Sequence, residues 1–274
     1  MDWHTATSPD IASMVTHQVC IIPIGSLERH ADHLPCGTDG LVAQKLAQLA
    51  AEREPCAVLP PLYYAIHFAG RNASGAVCMP TIVFLQYLEA ICDDVARNGF
   101  KKVLLLNGHG GNIATLNAFL HTIADKGKDY AVFLPPLFPS TKIIDEVKET
   151  ADGGHAGEIE TSVALHLFPH HVRTEAIPDR VSGSLKDYDV APASTQLDWY
   201  GSFPDQYAGD ARPATAEKGR RIVEAWVAAL VELIQKIKKD TRVLELLDQY
   251  RADMSNPRAT SAELTHGRRT NADA

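Results

Sequence analysis

The chain has 274 residues, 45% hydrophobic and 22% charged, which suits one large globular α/β domain and excludes a disulfide scaffold, a collagen-like repeat or global disorder. Its 26 basic and 34 acidic residues leave a formal charge of −8 and a pI near 5.8, which argues against a nucleic-acid or anionic-membrane partner. No apolar run approaches the roughly 20 residues that span a bilayer. The opening MDWHTATSPD shows no signal peptide, and the cysteines Cys20, Cys36, Cys56, Cys78 and Cys92 are scattered and read as reduced thiols, so a cytoplasmic location is expected.

Residues 18–25, QVCIIPIG, form an apolar, β-branched run that predicts a strand buried on both faces. Leu41, Val42, Leu46 and Leu49 then recur at helical spacing to about Arg53, with Thr38 or Asp39 as N-cap. A second strand is expected near 56–60, stopped by Pro60 and Pro61, and 63–80 reads as a long loop. Ile82, Leu85, Leu88, Ile91 and Val95 mark an amphipathic helix ended by Asn98 and Gly99. The apolar VLLL at 103–106 is a short strand that breaks at NGHGGN, 107–112, and Ile113, Leu116, Phe119, Leu120 and Ile123 begin a helix directly after it. YAVFLP at 130–135 gives a further strand. This alternation predicts a mainly parallel sheet covered by helices.

Further on, 139–154 reads as a polar loop, 157–168 as a helix ended by Pro169, and 172–213 as long loops with at most one short strand. A long helix covers 214–238, opened by Pro213. A short helix at 243–250 then leads into a polar tail, 252–274, expected to be disordered. The main domain is therefore placed at 1–240, with 241–274 as an appendage.

Ligands of parallel α/β sheets bind beyond the carboxyl ends of the strands, and three polar clusters can reach that edge. The first holds Glu28, His30, His33 and Asp39. In extended backbone Glu28 and His30 point to one side, and Asp39 returns at the next helix as a candidate bridging carboxylate. This donor set suits zinc, manganese or iron better than calcium or magnesium; a polar loop with a capping Asp39 is the simpler alternative. The second cluster is NGHGGN, where His109 between glycines suits a metal ligand and the glycine-rich turn could instead cradle a phosphate, although it matches neither GxGxxG nor a P-loop. The third holds His155, Glu158 and Glu160. On a helix starting near Gly157 the two glutamates stand about 200° apart, so only one can face a shared site and the other stabilises the helix start. Together the clusters suit two metals sharing a carboxylate. Such a pair polarises a carbonyl and deprotonates a bridging water, and His155 could pass a proton to a leaving nitrogen. Arg71 and Asn72 either contact a polar or anionic substrate or sit in an exposed loop, and Trp199, Tyr200 and Phe203 line a pocket wall or pack in the core.

These residues resemble the creatininase (creatinine amidohydrolase) family. IPIGSLERHADHLPCGTD, NGHGGN, HAGEIETS at 155–162 and GDARPATAEKGR at 209–220 are similar, in consistent order, to four motifs of that family, over about 20–235. The resemblance implies a three-layer α/β/α fold, a dinuclear centre of zinc, manganese or iron, and hydrolysis of a C–N bond in a small cyclic amide or formamide. It also implies a small-molecule substrate and a homo-oligomer, with a hexamer common in the family. By position Glu28, His30, Asp39 and His109 are implied ligands, with Asp39 bridging. Creatinine-hydrolysing members have a ligand Glu two residues after the second-motif His, where this chain has Gly111, and Glu158 is expected to supply the missing carboxylate. His155 aligns with a His that assists proton transfer, and Glu160 with a Glu read as supportive. Ala31 stands where the family often has Gly, and Cys36 where an aliphatic residue is common; Cys36 is read as a small buried hydrophobe rather than a soft ligand. Two alternatives are kept: a hydrolase opening a cyclic ketone or sugar-derived ring, and a non-catalytic small-molecule-binding module on the same fold.

Overall fold

The computed structural model describes residues 1–151, 153–186 and 188–255. Its sheet has four strands, β1 (Val19–Ile24), β2 (Ala57–Val58), β3 (Lys102–Asn107) and β4 (Ala131–Phe133), in the order β2-β1-β3-β4 with every pairing parallel. All side chains of β1 and β3 are buried, as continuous apolar runs require when helices cover both faces.

Alternation along the strands divides the core. Cys20, Ile22, Ile24, Val103 and Leu105 face one layer, made by α1 (Ser8–Met14), α3 (Thr81–Arg97) and α4 (Ile113–Asp125). Val19, Ile21, Leu104 and Leu106 face the other, made by α2 (Thr38–Arg53), α5 (Lys142–Val147), α6 (Glu158–Leu167) and α8 (Ala216–Lys239). The result is the expected three-layer α/β/α sandwich. Helix α6 lies in backbone contact with α8: a Cβ on Gly219 would stand 1.9 Å from the Ser162 carbonyl oxygen, so no larger residue fits that crossing. The Thr215 hydroxyl caps α8, accepting from Lys218 N–H at 3.2 Å, so that helix opens at Ala216 rather than at Pro213.

Other differences concern short or irregular elements. Helix α1, α5 within the expected polar loop, and α7 (Asp198–Ser202) are too short to impose a readable period. Besides α7 and a 3-10 turn at Thr174–Ala176, the described residues of 172–213 form isolated bridges rather than a strand, such as Ser182 with Gly209. Helix α9 (Arg242–Ser255) absorbs residues 252–255 of the expected tail, and the rest of that tail lies outside the described residues. Among the described residues no helix is long and apolar enough to cross a membrane.

The strand order fixes where a site can form. After β1 the chain goes to β2 on one side and then to β3 on the other, so a crevice opens between the carboxyl ends of β1 and β3. There Ile24 pairs with Asn107, which sets the segments after both strands side by side.

Candidate metal centre

The first and second sequence clusters meet at this crevice. Glu28 and His30 follow β1, Asp39 sits in the first turn of α2, and His109 follows β3. Asp39 is not the helix cap: Gly37 holds that position, and the carboxylate points inward instead. Its Oδ1 lies 3.0 Å from His30 Nε2 and its Oδ2 lies 3.1 Å from His109 Nδ1, one oxygen to each imidazole. Glu28 Oε1 lies 2.9 Å from His109 Nδ1 and 3.8 Å from His30 Nε2. All four side chains are buried.

The third cluster divides. Glu160 joins the centre, with Oε2 3.8 Å from His30 Nε2 and 3.9 Å from His155 Nδ1. Glu158, expected as a ligand, does not. It is fully buried on the opposite side of α6, where it pairs with Lys218 Nζ at 2.5 Å and accepts from the N–H groups of Glu149 and Thr150 and the Thr150 hydroxyl. Burial opposes its charge, but these donors outweigh that and hold it below the usual carboxylate range. The angular argument correctly kept the two glutamates apart; the assignment of which one faces inward is reversed. Lys218 belongs to the fourth motif, which is thereby a structural partner of the third. A Cβ on Gly111, two residues after His109, would meet His109 Nε2 at 2.4 Å, so the ring holds its present place beside a glycine.

Three imidazoles are oriented in the same way. Assigned as donors, His30 Nδ1–H faces the Glu28 carbonyl at 3.2 Å, His109 Nε2–H the Ile66 carbonyl at 3.0 Å, and His155 Nε2–H the Arg29 carbonyl at 2.9 Å. Each therefore turns its other nitrogen toward the carboxylates, where it can donate to an oxygen, as His30 Nε2 does to Asp39 Oδ1 at 3.0 Å, or offer a lone pair to an ion, which is the arrangement of metal-binding histidines. The asparagines of NGHGGN build the frame. Asn107 Nδ2 donates to the His109 carbonyl at 2.8 Å, and Asn112 joins the segments after β1 and β2 by donating to the Gly25 carbonyl and accepting from Ile66 N–H. With His109 set between two carboxylates, a phosphate at this turn would be repelled.

His67, from the loop after β2, also reaches the centre, with Nδ1 2.5 Å from Glu28 Oε2. Sequence reasoning missed it because it lies in a stretch without periodicity; its one signal was its place beyond a strand's carboxyl end. Ligand atoms of Glu28, His67 and His109, of Glu28, His30 and His155, and of His30, Asp39 and Glu160 each lie within 4.8 Å of one another. Yet Glu28 Oε2 and Asp39 Oδ2 are buried with no aligned hydrogen-bond donor among the described residues, so two carboxylate oxygens of the cluster are left unsatisfied. Burial disfavours a charged His30, but Asp39, Glu28 and Glu160 overcome this and raise its pKa to about 10. Burial opposes charge on Glu28 too, and His109, His67 and His30 hold it well below the usual range. A centre that draws protons so strongly is one that a cation fits.

The remaining candidates lie around this core. His33 is buried, with Nε2 2.8 Å from the Thr161 hydroxyl at the start of α6, and burial together with His30 lowers its pKa to about 4. Trp199 sets its edge against the His155 ring at 5.5 Å and donates from Nε1 to Gln206 Oε1 at 2.8 Å, with Phe203 packed beside it, so both form a wall of the centre. Tyr200 is exposed and Arg71 lies over the Phe68 ring, while Asn72 Nδ2 donates to the Pro204 carbonyl at 2.7 Å and links the loops on either side of the mouth. Cys36 is half-buried; its carbonyl accepts from Glu28 N–H at 3.0 Å, and its thiol is outside the three ligand groups.

Comparison with known proteins agrees with this architecture. The family model for creatininase, described as creatinine amidohydrolase, matches residues 4–234. The 3-dehydro-scyllo-inosose hydrolase of Thermotoga maritima is 30% identical over 240 residues, 79% of this chain and 76% of that protein. The mycofactocin precursor peptide peptidase of Mycolicibacterium smegmatis is 29% identical over 245 residues, 86% of this chain and 91% of that protein. A crystal structure of creatinine amidohydrolase superposes with a TM-score of 0.75 at 24% identity, over 88% of this chain and 98% of that one. Creatininase in a zinc–zinc form and in a manganese form shares the fold at 23% identity, with TM-scores of 0.70 and 0.72 over 87% of this chain and 98% and 99% of theirs.

Proposed function

The chain belongs to the creatininase family and is a metal-dependent hydrolase; within that class we propose that it holds two divalent ions and hydrolyses a C–N bond in a small cyclic amide or formamide. The observation that carries this reading is the Asp39 carboxylate, which offers one oxygen toward His30 and the other toward His109 while the far nitrogen of each ring faces a backbone carbonyl. Glu28, His30, Asp39 and His109 are the proposed ligands. Glu160, rather than Glu158, is the proposed further carboxylate.

When bound, the ions would polarise the scissile carbonyl and lower the pKa of a water. His155 would take up the proton that the attacking water loses and pass it to the leaving nitrogen. Its Nε2–H is engaged by the Arg29 carbonyl, so the proton moves through Nδ1, which faces Glu28 and Glu160 at 4.0 and 3.9 Å. Trp199 against the ring limits its swing and excludes water from that side. The hydrolase unit is placed at 1–240, and a homo-oligomer is proposed from the resemblance, to be read by light scattering on the purified chain.

The test is metal content together with turnover. About two transition-metal ions per chain are expected, and Glu28→Ala or His109→Ala should lose metal and turnover while remaining folded. Full turnover in either variant refutes the reading. The Thermotoga relative, named for hydrolysis of an inosose, favours a second reading in which the same centre opens a cyclic ketone or sugar-derived ring. Turnover of lactams, formamides, cyclic keto-sugars and a short peptide, compared side by side, separates these bonds. A non-catalytic module is not retained, because the family is one of hydrolases and the candidate ligands are all present.

A further inference from the structure

The environment of His67 differs from that of the other three imidazoles. It is 7% exposed, its ring stands edge-on to His109 with centroids 5.3 Å apart, and no carbonyl receives its far nitrogen. His67 Nε2 is buried with no hydrogen-bond partner among the described residues. It faces Gly70, where a Cβ would stand 1.6 Å away, so the ring can occupy this place only because residue 70 is glycine. Leaving one nitrogen of a buried imidazole unpartnered is costly. The arrangement is accounted for if the other nitrogen, Nδ1, makes a strong bond.

Two bonds are available to Nδ1. It could donate a proton to Glu28, or it could ligate an ion beside Glu28. Alignment favours the ion: Glu28 Oε2 is only 2.5 Å away yet has no aligned donor, so the oxygen lies off the axis along which a ring N–H would point. Carboxylate and imidazole thus approach as two ligands of one centre do, together with His109 Nδ1.

Resting on the two-ion reading above, we propose that His67 is an additional protein ligand, which makes the two ion positions unequal. One position is closed by Glu28, His67, His109 and a shared Asp39. The other has His30, Asp39 and Glu160, with His155 beside them, and so fewer dedicated protein ligands. Four protein ligands characterise a tightly held ion, and three with an open position a catalytic one. The nitrogen-rich position therefore binds the more tightly, and the oxygen-rich position exchanges first.

The test uses the purified chain loaded with Co2+, with ions per chain, dissociation constants by chelator competition and the visible cobalt spectrum as readouts. The wild type should hold two ions in two affinity classes. His67→Ala and His67→Asn should both weaken the tight class by more than about 100-fold, beyond the roughly 10- to 100-fold expected for losing an outer hydrogen-bond partner, and both should change the cobalt spectrum. Asparagine can still donate to Glu28, so wild-type affinity in His67→Asn would overturn the proposal and leave His67 only a positioning residue. His67→Asn also carries the test alone if His67→Ala does not fold. A wild type that never binds two ions overturns the two-ion reading itself, an outcome separate from any behaviour of the variants.

Discussion

Exchanging the fates of two neighbouring glutamates is the sharpest test of the site. Glu158→Gln keeps the shape of the side chain but removes its charge. In place of one oxygen it sets an NH2 against a shell made only of donors: Glu149 N–H, Thr150 N–H and O–H, and Lys218 Nζ. Breaking one partner of a buried ion pair costs about 3–5 kcal/mol. Lys218 retains Glu149 and the Pro213 carbonyl, so the lower end applies, about 3 kcal/mol. At roughly 2–4 °C per kcal/mol for a chain of this size, melting should fall by roughly 6–12 °C, with metal content per folded chain unchanged. Glu160→Gln should do the reverse. That side chain is 27% exposed and still accepts from Ala156 N–H, so stability without metal should hold while one ion is lost. The pH dependence adds a check. The folded pKa of Glu158 lies below its ordinary 4.5, so its contribution is present above that value and fades as pH falls through the folded pKa. Glu158→Gln should therefore flatten the acid limb of the stability curve. Thermal unfolding with elemental analysis reads both variants, and metal loss in Glu158→Gln with unchanged melting would refute the assignment.

Other consequences follow from the same geometry. Ala31 is held at φ 51°, in the left-handed region that costs a residue with a Cβ roughly 1–2 kcal/mol; against this, Ala31→Gly adds roughly 0.4–1 kcal/mol of unfolded-state entropy and gives up roughly 0.8 kcal/mol of buried methyl, so stability in chemical denaturation should stay within about 0.5 kcal/mol of the wild type, and a loss above about 1.5 kcal/mol would contradict the strain argument. Lys102 is buried at the start of β3, and its Nζ donates to the carbonyls of Ile237, Lys238 and Asp240 at the end of α8. Lys102→Met strands these acceptors and should cost about 3 kcal/mol with metal content unchanged, measured by urea unfolding. Chelator treatment should lower the melting temperature and re-addition of metal should restore it, because ions that bind only the folded chain stabilise it by mass action; an unchanged melting curve after complete removal would show that the ions do not engage this buried centre.

Much of the fold was written locally. The apolar run at 19–24, the VLLL at 103–106 and the helical periods of α2, α3, α4 and α8 each carry enough residues to declare a strand or a helix, and their alternation implies a parallel sheet between helices. Short elements such as α5 and α7 were not legible, because one or two turns do not establish a period. The residues that meet at the centre were partly legible as well, since Glu28, His30, Asp39 and His109 stand in polar interruptions just beyond predicted strands. What spacing could not supply was direction. The helical angle between Glu158 and Glu160 says that one faces inward, but which one depends on how α6 is rotated against α8, and that is fixed by the contact at Gly219 and by Lys218 reaching Glu158. His67 was likewise invisible, because an irregular loop has no period from which to read a side chain's aim. The sequence by itself determined the layers and the chemistry available at the strand ends; only tertiary packing decided which side chains share one centre, because that depends on distances between segments far apart in the chain.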